Sequence, residues 1–227
     1  MDAAKPISFS TQNPINKEIN SDLLKTYKDI LFKYLDDRSY KEDKVKIWAK
    51  NILEEAKEYF IKKYDNYNLF LLIAIYPRNV YFRSGTTSIS VENIDWCDLV
   101  DFKSNNIYAV LYFFFYQNCE LTYSLENYES EIIKKGNEIL LKHLDERKFN
   151  YDKILEYNTR INDEFVNTIL EKENKLKAFL VSEIYQNPLK DNYFFTYLNH
   201  GKQIYSKIFH NYVNDSLTCC HSLYFFK

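Results

Sequence analysis

The chain has 227 residues, of which 46% are hydrophobic and 27% are charged. These fractions are typical of globular proteins, so a packed apolar core is available to the chain. The 30 basic and 32 acidic residues leave a formal net charge of −2, which provides no general electrostatic attraction to nucleic acid or to an anionic membrane. We therefore expect neither a nucleic-acid partner nor a membrane partner.

The chain begins with a polar N-terminal arm, residues 1–20, which lacks both a basic start and a long apolar run. The most apolar window, residues 107–116, is much shorter than the roughly 20 residues that a membrane-spanning helix needs. The sequence therefore predicts a soluble intracellular protein.

Two helices are predicted after the arm. Over residues 21–37, apolar side chains recur at steps of three and four, which is the spacing of one helical stripe. Ser39 and Glu42 have the spacing of a capping box, in which the hydroxyl and the carboxylate satisfy free backbone N–H groups. This motif predicts a second helix that ends near residue 64, with Trp48 on its buried face.

Aromatic and β-branched residues, separated by turn residues, then predict four strands, at 69–76, 80–91, 98–103 and 107–116. Asn105 and Asn106 are predicted to form a two-residue hairpin turn, because Asn tolerates the positive φ that such turns require. The unbroken apolar run 69–75 indicates a strand that is covered on both faces.

The same order of elements is repeated, because the chain is a tandem duplication at an offset of 109 positions. The segment 30–38, ILFKYLDDR, aligns with 139–147, ILLKHLDER, and the segment 70–76, FLLIAIY, aligns with 179–185, FLVSEIY. After a connection at 117–125, the second copy is predicted to contain helices and strands at 126–145, 150–173, 176–186, 193–198, 203–213 and 217–226.

The predicted fold class is α+β, with copies at 21–116 and 126–227 that each contain two helices and a four-stranded antiparallel sheet. Helices should cover one face of each sheet and the other copy the opposite face, giving an intrachain pseudo-dimer about a pseudo-twofold axis. Ser182 and Glu183 stand where the first copy has Ile73 and Ala74, so the two halves are not equivalent.

No catalytic residue, cofactor or metal site is predicted. The four cysteines, Cys97, Cys119, Cys219 and Cys220, do not have the spacing of a metal site, which favours reduced, mostly buried thiols. Within 218–222, strand geometry sends Cys220 and His221 to opposite faces, so they cannot form a catalytic dyad. The remaining histidines, His143, His200 and His210, are scattered and are expected on helix surfaces or in loops.

The order of two helices and four strands resembles the Tctex-type dynein light chains. The residues that carry this resemblance are Trp48 in the second helix, the first strand at 69–76, and the segment 101–108, DFKSNNIY, which leads into the last strand. In the second copy the matching segment is 211–217, NYVNDSL.

The resemblance implies a non-enzymatic accessory light chain of a dynein motor complex, whose family members pair by exchanging a strand and bind partner tails as an added β-strand. The expected partners are dynein intermediate or heavy chains, or other light chains, and the expected location is the cytoplasm and cytoskeleton, including the ciliary axoneme. An exposed sheet edge suits such binding because its backbone groups are unpaired. The predicted edge residues are Val100, Phe102, Ile204, Tyr205, Ile208 and Phe209.

Two alternatives remain at the level of sequence. One is a motor-independent structural adaptor of microtubules or cilia. The other is an enzyme with a site between the two copies. A pocket with perturbed ionisable groups between the copies would favour the enzyme, whereas an open apolar strand edge would favour an adaptor.

Overall fold

The computed structural model describes residues 14–78, 82–89, 96–116, 128–172, 177–186, 194–200 and 204–226. The chain is α+β, as predicted, and the described residues form four helices and eight strands. The helices are α1 (Pro14–Leu35), α2 (Glu42–Lys63), α3 (Glu129–Leu144) and α4 (Tyr151–Lys172). The strands are β1 (Asn68–Pro77), β2 (Phe82–Ile89), β3 (Trp96–Lys103), β4 (Ile107–Tyr116), β5 (Lys177–Gln186), β6 (Phe194–His200), β7 (Ile204–Val213) and β8 (Leu217–Phe226).

The strands form two antiparallel sheets, and each sheet contains one strand from the other half of the chain. The first sheet has the order β3-β4-β1-β6, and the second has the order β2-β5-β8-β7. Strand β6 therefore pairs with β1 of the first half, and β2 pairs with β5 of the second half. The prediction that each copy forms its own four-stranded sheet is wrong, because each copy gives one strand to the sheet of the other. The edge strands are β3 and β6 in one sheet and β2 and β7 in the other.

The repeat seen in the sequence is also present in the element bounds. Helices α2 and α4 are related by the offset of the sequence repeat at both their ends, and so are strands β1 and β5. Strands β4 and β8 are related by an offset that is larger by one. The contact between the two helices of each half is repeated too, since Lys33 Nζ lies 2.6 Å from Glu55 Oε2 and Lys142 Nζ lies 2.7 Å from Glu164 Oε2.

The apolar residues form three layers of core. One layer lies between helices α1 and α2 and the first sheet, and a second lies between α3 and α4 and the second sheet. The third lies between the two sheets and contains aromatic residues of β1, β4, β5 and β8, including Phe70, Phe114, Phe179 and Phe226. Because β1 is buried on both faces, all its residues from Asn68 to Tyr76 are buried, as the run 69–75 indicated.

The helix ends differ from the predictions in two places. Helix α1 begins at Pro14, inside the predicted arm, which suits the fixed φ of proline at the first helical position. The capping box of Ser39 and Glu42 is wrong, because Lys41 is the N-cap of α2 and no side chain caps that helix. In the second half Asn150 does cap α4, since its Oδ1 accepts hydrogen bonds from the backbone N–H groups of Asp152 and Lys153.

The final hairpin of each half turns through two residues, but without the positive φ that was expected of Asn105 and Asn106. The backbone N–H of Ser104 donates to the carbonyl of Ile107, and the Ser104 hydroxyl accepts from the backbone N–H of Asn106. In the second half Asn214 takes the place of Ser104, so the turn there consists of Asp215 and Ser216. Among the described residues other than glycine, φ is positive at Asp37 and Glu146, which occupy equivalent places after α1 and α3.

Some predictions fall on residues outside the described ranges. These are the arm as far as residue 13, the connection 117–125, Cys119, and one or both ends of the elements predicted at 80–91, 126–145, 150–173, 176–186, 193–198 and 203–213.

Candidate partner-binding edges

Strand β3 lies at the edge of the first sheet and pairs only with β4 within it. Its two predicted binding residues, Val100 and Phe102, are 6% and 7% exposed and belong to the core beneath α1. Their side chains are therefore not available to a partner, and what β3 can offer is the outer side of its backbone.

An open groove of about 470 Å³ lies where α1 ends above β3 and the β3–β4 turn. The ring of Phe32, 57% exposed, makes an edge-to-face contact with Phe102 at 6.2 Å in this groove. The charged lining consists of Lys28, Asp36, Asp37, Asp101 and Lys103. The groove thus combines an apolar wall with three carboxylates and two ammonium groups.

Strand β7 lies at the edge of the second sheet and differs from β3 in what it exposes. Ile208 is buried beneath the helices and Ile204 packs partly against the core between the sheets. Phe209 and Val213, in contrast, are 55% and 65% exposed. Tyr205 is part of the strand, but its side chain lies outside the described set.

Phe209 belongs to a partly exposed aromatic group formed by the two sheets. Its ring makes an edge-to-face contact with Tyr224 at 6.1 Å, and Tyr224 in turn lies 6.0 Å from Tyr197 of β6. Lys207 Nζ lies 4.1 Å from the centre of the Tyr197 ring and donates a hydrogen bond to its hydroxyl. Edge strand β7 therefore presents a large apolar side chain beside a fixed positive charge.

The place equivalent to Phe209 in the first half is Leu99. Leu99 is opposite Tyr112, and Phe209 is opposite Ser222. The two residues of the second pair follow those of the first by the same offset that relates β8 to β4. Leu99 is only 5% exposed, whereas Phe209 is more than half exposed. The two edges are related by the repeat but present different surfaces.

A buried carboxylate lies between the sheets. Glu183 of β5, 3% exposed, accepts hydrogen bonds from the hydroxyls of Tyr76 at 2.8 Å, Tyr112 at 2.6 Å and Tyr185. Burial raises the pKa of Glu183 above its ordinary value, and the three hydroxyls oppose that shift because they favour the ionised form. Burial likewise raises the pKa values of Tyr76 and Tyr185.

The second half also contains polar groups in its helix-facing core. His210 and His221, opposite each other on β7 and β8, are 2% and 0% exposed, and His221 stacks on Phe165 at 3.8 Å. The Ser182 hydroxyl donates to Asn162 Oδ1 at 2.6 Å. The expectation that His210 lies on a surface or in a loop is wrong, because a strand carries it into the core.

The cysteines have the environment of structural thiols. Cys97 and Cys219 are buried, Cys220 is partly buried, and none of these three forms a disulfide. Cys220 faces the other sheet while His221 faces α4, which confirms the predicted separation. Burial raises the pKa of Cys220 to about 12, so its thiolate is scarce at neutral pH.

Within the described ranges, no group of three or more His, Cys, Asp or Glu residues is arranged to hold a metal ion. None of the helices in this part of the chain is long and apolar enough to cross a membrane. Comparison with known proteins gave no match to a protein-family model and none to a curated protein.

Sequence reasoning missed the tyrosine shell around Glu183 and the histidine pair. The replacement of Ile73 and Ala74 by Ser182 and Glu183 was visible in the sequence. Glu183 belongs to the tyrosine shell, and Ser182 is opposite His221 of the histidine pair in the register of β5 and β8. The partners come from other strands and from α4, so no local pattern identified them.

Proposed function

We propose that the protein is a non-catalytic accessory light chain of a dynein motor complex, built as a tandem pair of Tctex-like units within one chain. Three features support this proposal: the repeated order of two helices and four strands, the packing of the two sheets on each other, and the exchange of β2 and β6 between them. On this proposal the chain provides by itself the paired arrangement that other proteins obtain from two subunits.

The observation that carries the binding part of the proposal is the exposed Phe209 on edge strand β7. An edge strand has backbone donors and acceptors that an extended peptide can pair with, and neighbouring side chains then select the peptide. A large apolar side chain that is 55% exposed is available to contribute to that selection. On β3, where Leu99, Val100 and Phe102 are buried, the groove beside Phe32 would provide the selection instead.

Because edge strands β3 and β7 present different surfaces, the chain is suited to hold two different partners. The expected partners are dynein intermediate or heavy chains, or other light chains, in the cytoskeleton or the ciliary axoneme. ATP hydrolysis would belong to the motor subunit, and the role of this chain would be to hold partner tails in place.

The test is a native pull-down of the tagged full-length chain at moderate salt, with all co-purifying polypeptides identified. We expect dynein subunits with the native chain, and a loss of at least one of them with Phe209→Ser. The matched control is Ile47→Ser on α2, which removes an apolar side chain of similar exposure, 52%, from a helix surface. Phe32→Ser tests the groove at β3 in the same way.

Recovery of no motor subunit by the native chain would contradict the light-chain proposal. If tubulin or other structural proteins were recovered instead, the motor-independent adaptor would become the better account. Equal losses with Phe209→Ser and Ile47→Ser would contradict the assignment of binding to β7.

A further inference from the structure

The tyrosines around Glu183 identify the position of the pseudo-twofold axis that relates the two halves of the chain. Tyr185 and Tyr76 are related by the offset of the sequence repeat, and they occupy the same place in β5 and β1. Their hydroxyl oxygens are 3.1 Å apart across the space between the sheets. Two equivalent residues that touch each other in this way must lie next to the pseudo-twofold axis.

The carboxylate beside this axis is present on one side only. Glu183 stands in β5 where β1 has Ala74, and both residues face the space between the sheets. Two of the three hydroxyls that Glu183 accepts from, those of Tyr76 and Tyr112, belong to the first half. At the place of Tyr112 in β4, the second half has Ser222 in β8.

We propose that the inner face of each sheet is a pairing surface that accepts the unlike half of the chain and rejects a like half, with Glu183 as the selecting residue. Two second halves brought together in this geometry would place two Glu183 carboxyl groups beside one axis, and Ser222 would replace the Tyr112 donor of each. Two first halves would place Ala74 opposite Ala74 and leave the Tyr76 and Tyr112 hydroxyls without this carboxylate.

The energies of buried polar groups favour the unlike pair. Two carboxyl groups in one buried site cannot both ionise without strong repulsion, and a buried hydroxyl that loses its acceptor also costs free energy. In the unlike pair one carboxylate is shared by three hydroxyl donors, so none of these costs arises. The inference rests on the intrachain pairing in the proposed function, but it requires no partner protein.

A double-mutant cycle in the full-length chain tests the proposal. Ala74→Glu places a second carboxyl group beside Glu183, and Ala74→Gln adds a side chain of the same size without charge. At pH 8 we expect Ala74→Glu to lower the melting temperature by about 5 °C or more beyond Ala74→Gln. In the Glu183→Ala background the order should reverse, because the carboxylate at position 74 then has the hydroxyls of Tyr76 and Tyr185 to itself.

If the order of Ala74→Glu and Ala74→Gln is the same in both backgrounds, the proposal is wrong. A second measurement does not depend on packing a larger residue at position 74. We expect Glu183→Ala alone to form concentration-dependent dimers in sedimentation velocity, since like halves of different chains can then pair. The control is Val181→Ala, which opens a cavity on the same face of β5 and should remain monomeric.

A Glu183→Ala chain that stays monomeric at every concentration would also overturn the proposal. Both measurements use the isolated chain. A failed pull-down would therefore contradict the light-chain function alone, whereas a failed cycle would contradict only the selection of the unlike half.

Discussion

At the scale of single residues, the two halves differ most in what fills the helix-facing core. His210 and His221 of the second half occupy the places that Val100 and Leu111 occupy in the first half. Burial lowers the pKa of His221 well below the ordinary value of 6.5, and the neighbouring His210 adds to that shift. Burial also lowers the pKa of His210, although the backbone of Ile133 and Ile132 opposes the shift.

From the buried pair His210 and His221, we predict that the chain loses stability on mild acidification. Because the folded-state pKa values lie below 6.5, the unfolded chain binds protons that the folded chain does not. The stability contributed by the neutral histidines is complete above pH 6.5 and is lost as the pH falls below it. We expect a loss of about 1–2 kcal/mol between pH 7.5 and 5.5, measured by urea unfolding.

The control for this prediction is the double variant His210→Val/His221→Leu, which restores the residues of the first half. It keeps His143 and His200, so any slope that remains in the variant belongs to groups elsewhere. A native chain whose slope matches that of the variant would show that the buried pair does not set the pH dependence.

At the scale of elements, compensating changes keep the helix-to-sheet packing closed in both halves. In α1, Tyr27 is buried with its ring 5.1 Å from Phe113 in an edge-to-face contact. Gly136 of α3 stands at the equivalent place in the sequence repeat, and a Cβ there would overlap the His210 ring. The large residue is Tyr27 on the helix in the first half and His210 on the strand in the second half. Gly136 therefore leaves the space that the His210 ring fills.

Gly136→Ala is therefore expected to destabilise the native chain by about 1–3 kcal/mol, because the His210 ring must move out of a packed core. In a His210→Val background the same change should stabilise the chain by up to about 1 kcal/mol, since Ala favours the helix over Gly. Denaturant unfolding of the four proteins measures the coupling. Additive effects of the two substitutions would show that the ring and the helix do not constrain each other.

The elements themselves were well predicted, whereas their ends and their partners were not. The apolar stripes of α1 to α4 and the apolar runs of β1, β4, β5 and β8 are local patterns, and their periods predict helices and strands directly. The cap of α2 and the φ angles of the Asn105–Asn106 turn depend on which nearby group makes a hydrogen bond, and several groups compete there.

At the scale of the whole molecule, the core between the sheets ties the two halves together. Its aromatic residues come from both halves, and the rings of Phe114 and Phe179 stack at 5.6 Å with an interplanar angle of 5°. Either half alone would expose this face and would also lack the strand that the other half supplies.

We therefore expect the full-length chain to sediment as a monomer of 27.4 kDa. A single half, whose bare apolar face can meet only like halves, should aggregate rather than form a defined pair. Sedimentation equilibrium over a tenfold range of about 5 to 50 µM measures both, a range in which exposed apolar faces associate. A half that remained a stable, folded monomer would contradict the mutual dependence of the two halves.

The sequence by itself determined that two helices followed by four strands occur twice along the chain, and that β1 is buried on both faces. These properties follow from the spacing of residues along the chain, which can be read without knowing the fold. It also indicated Phe209 as an edge residue, but not that Leu99, its counterpart, would be covered.

Only the tertiary structure decided that β2 and β6 change sheets, that Glu183 is shared by three tyrosines, and that His210 lies in the core. Strand exchange leaves the pattern of each strand unchanged, because an antiparallel neighbour from either half presents the same backbone groups. The contacts of Glu183 and His210 join residues distant in sequence, and such contacts follow from packing rather than from local pattern.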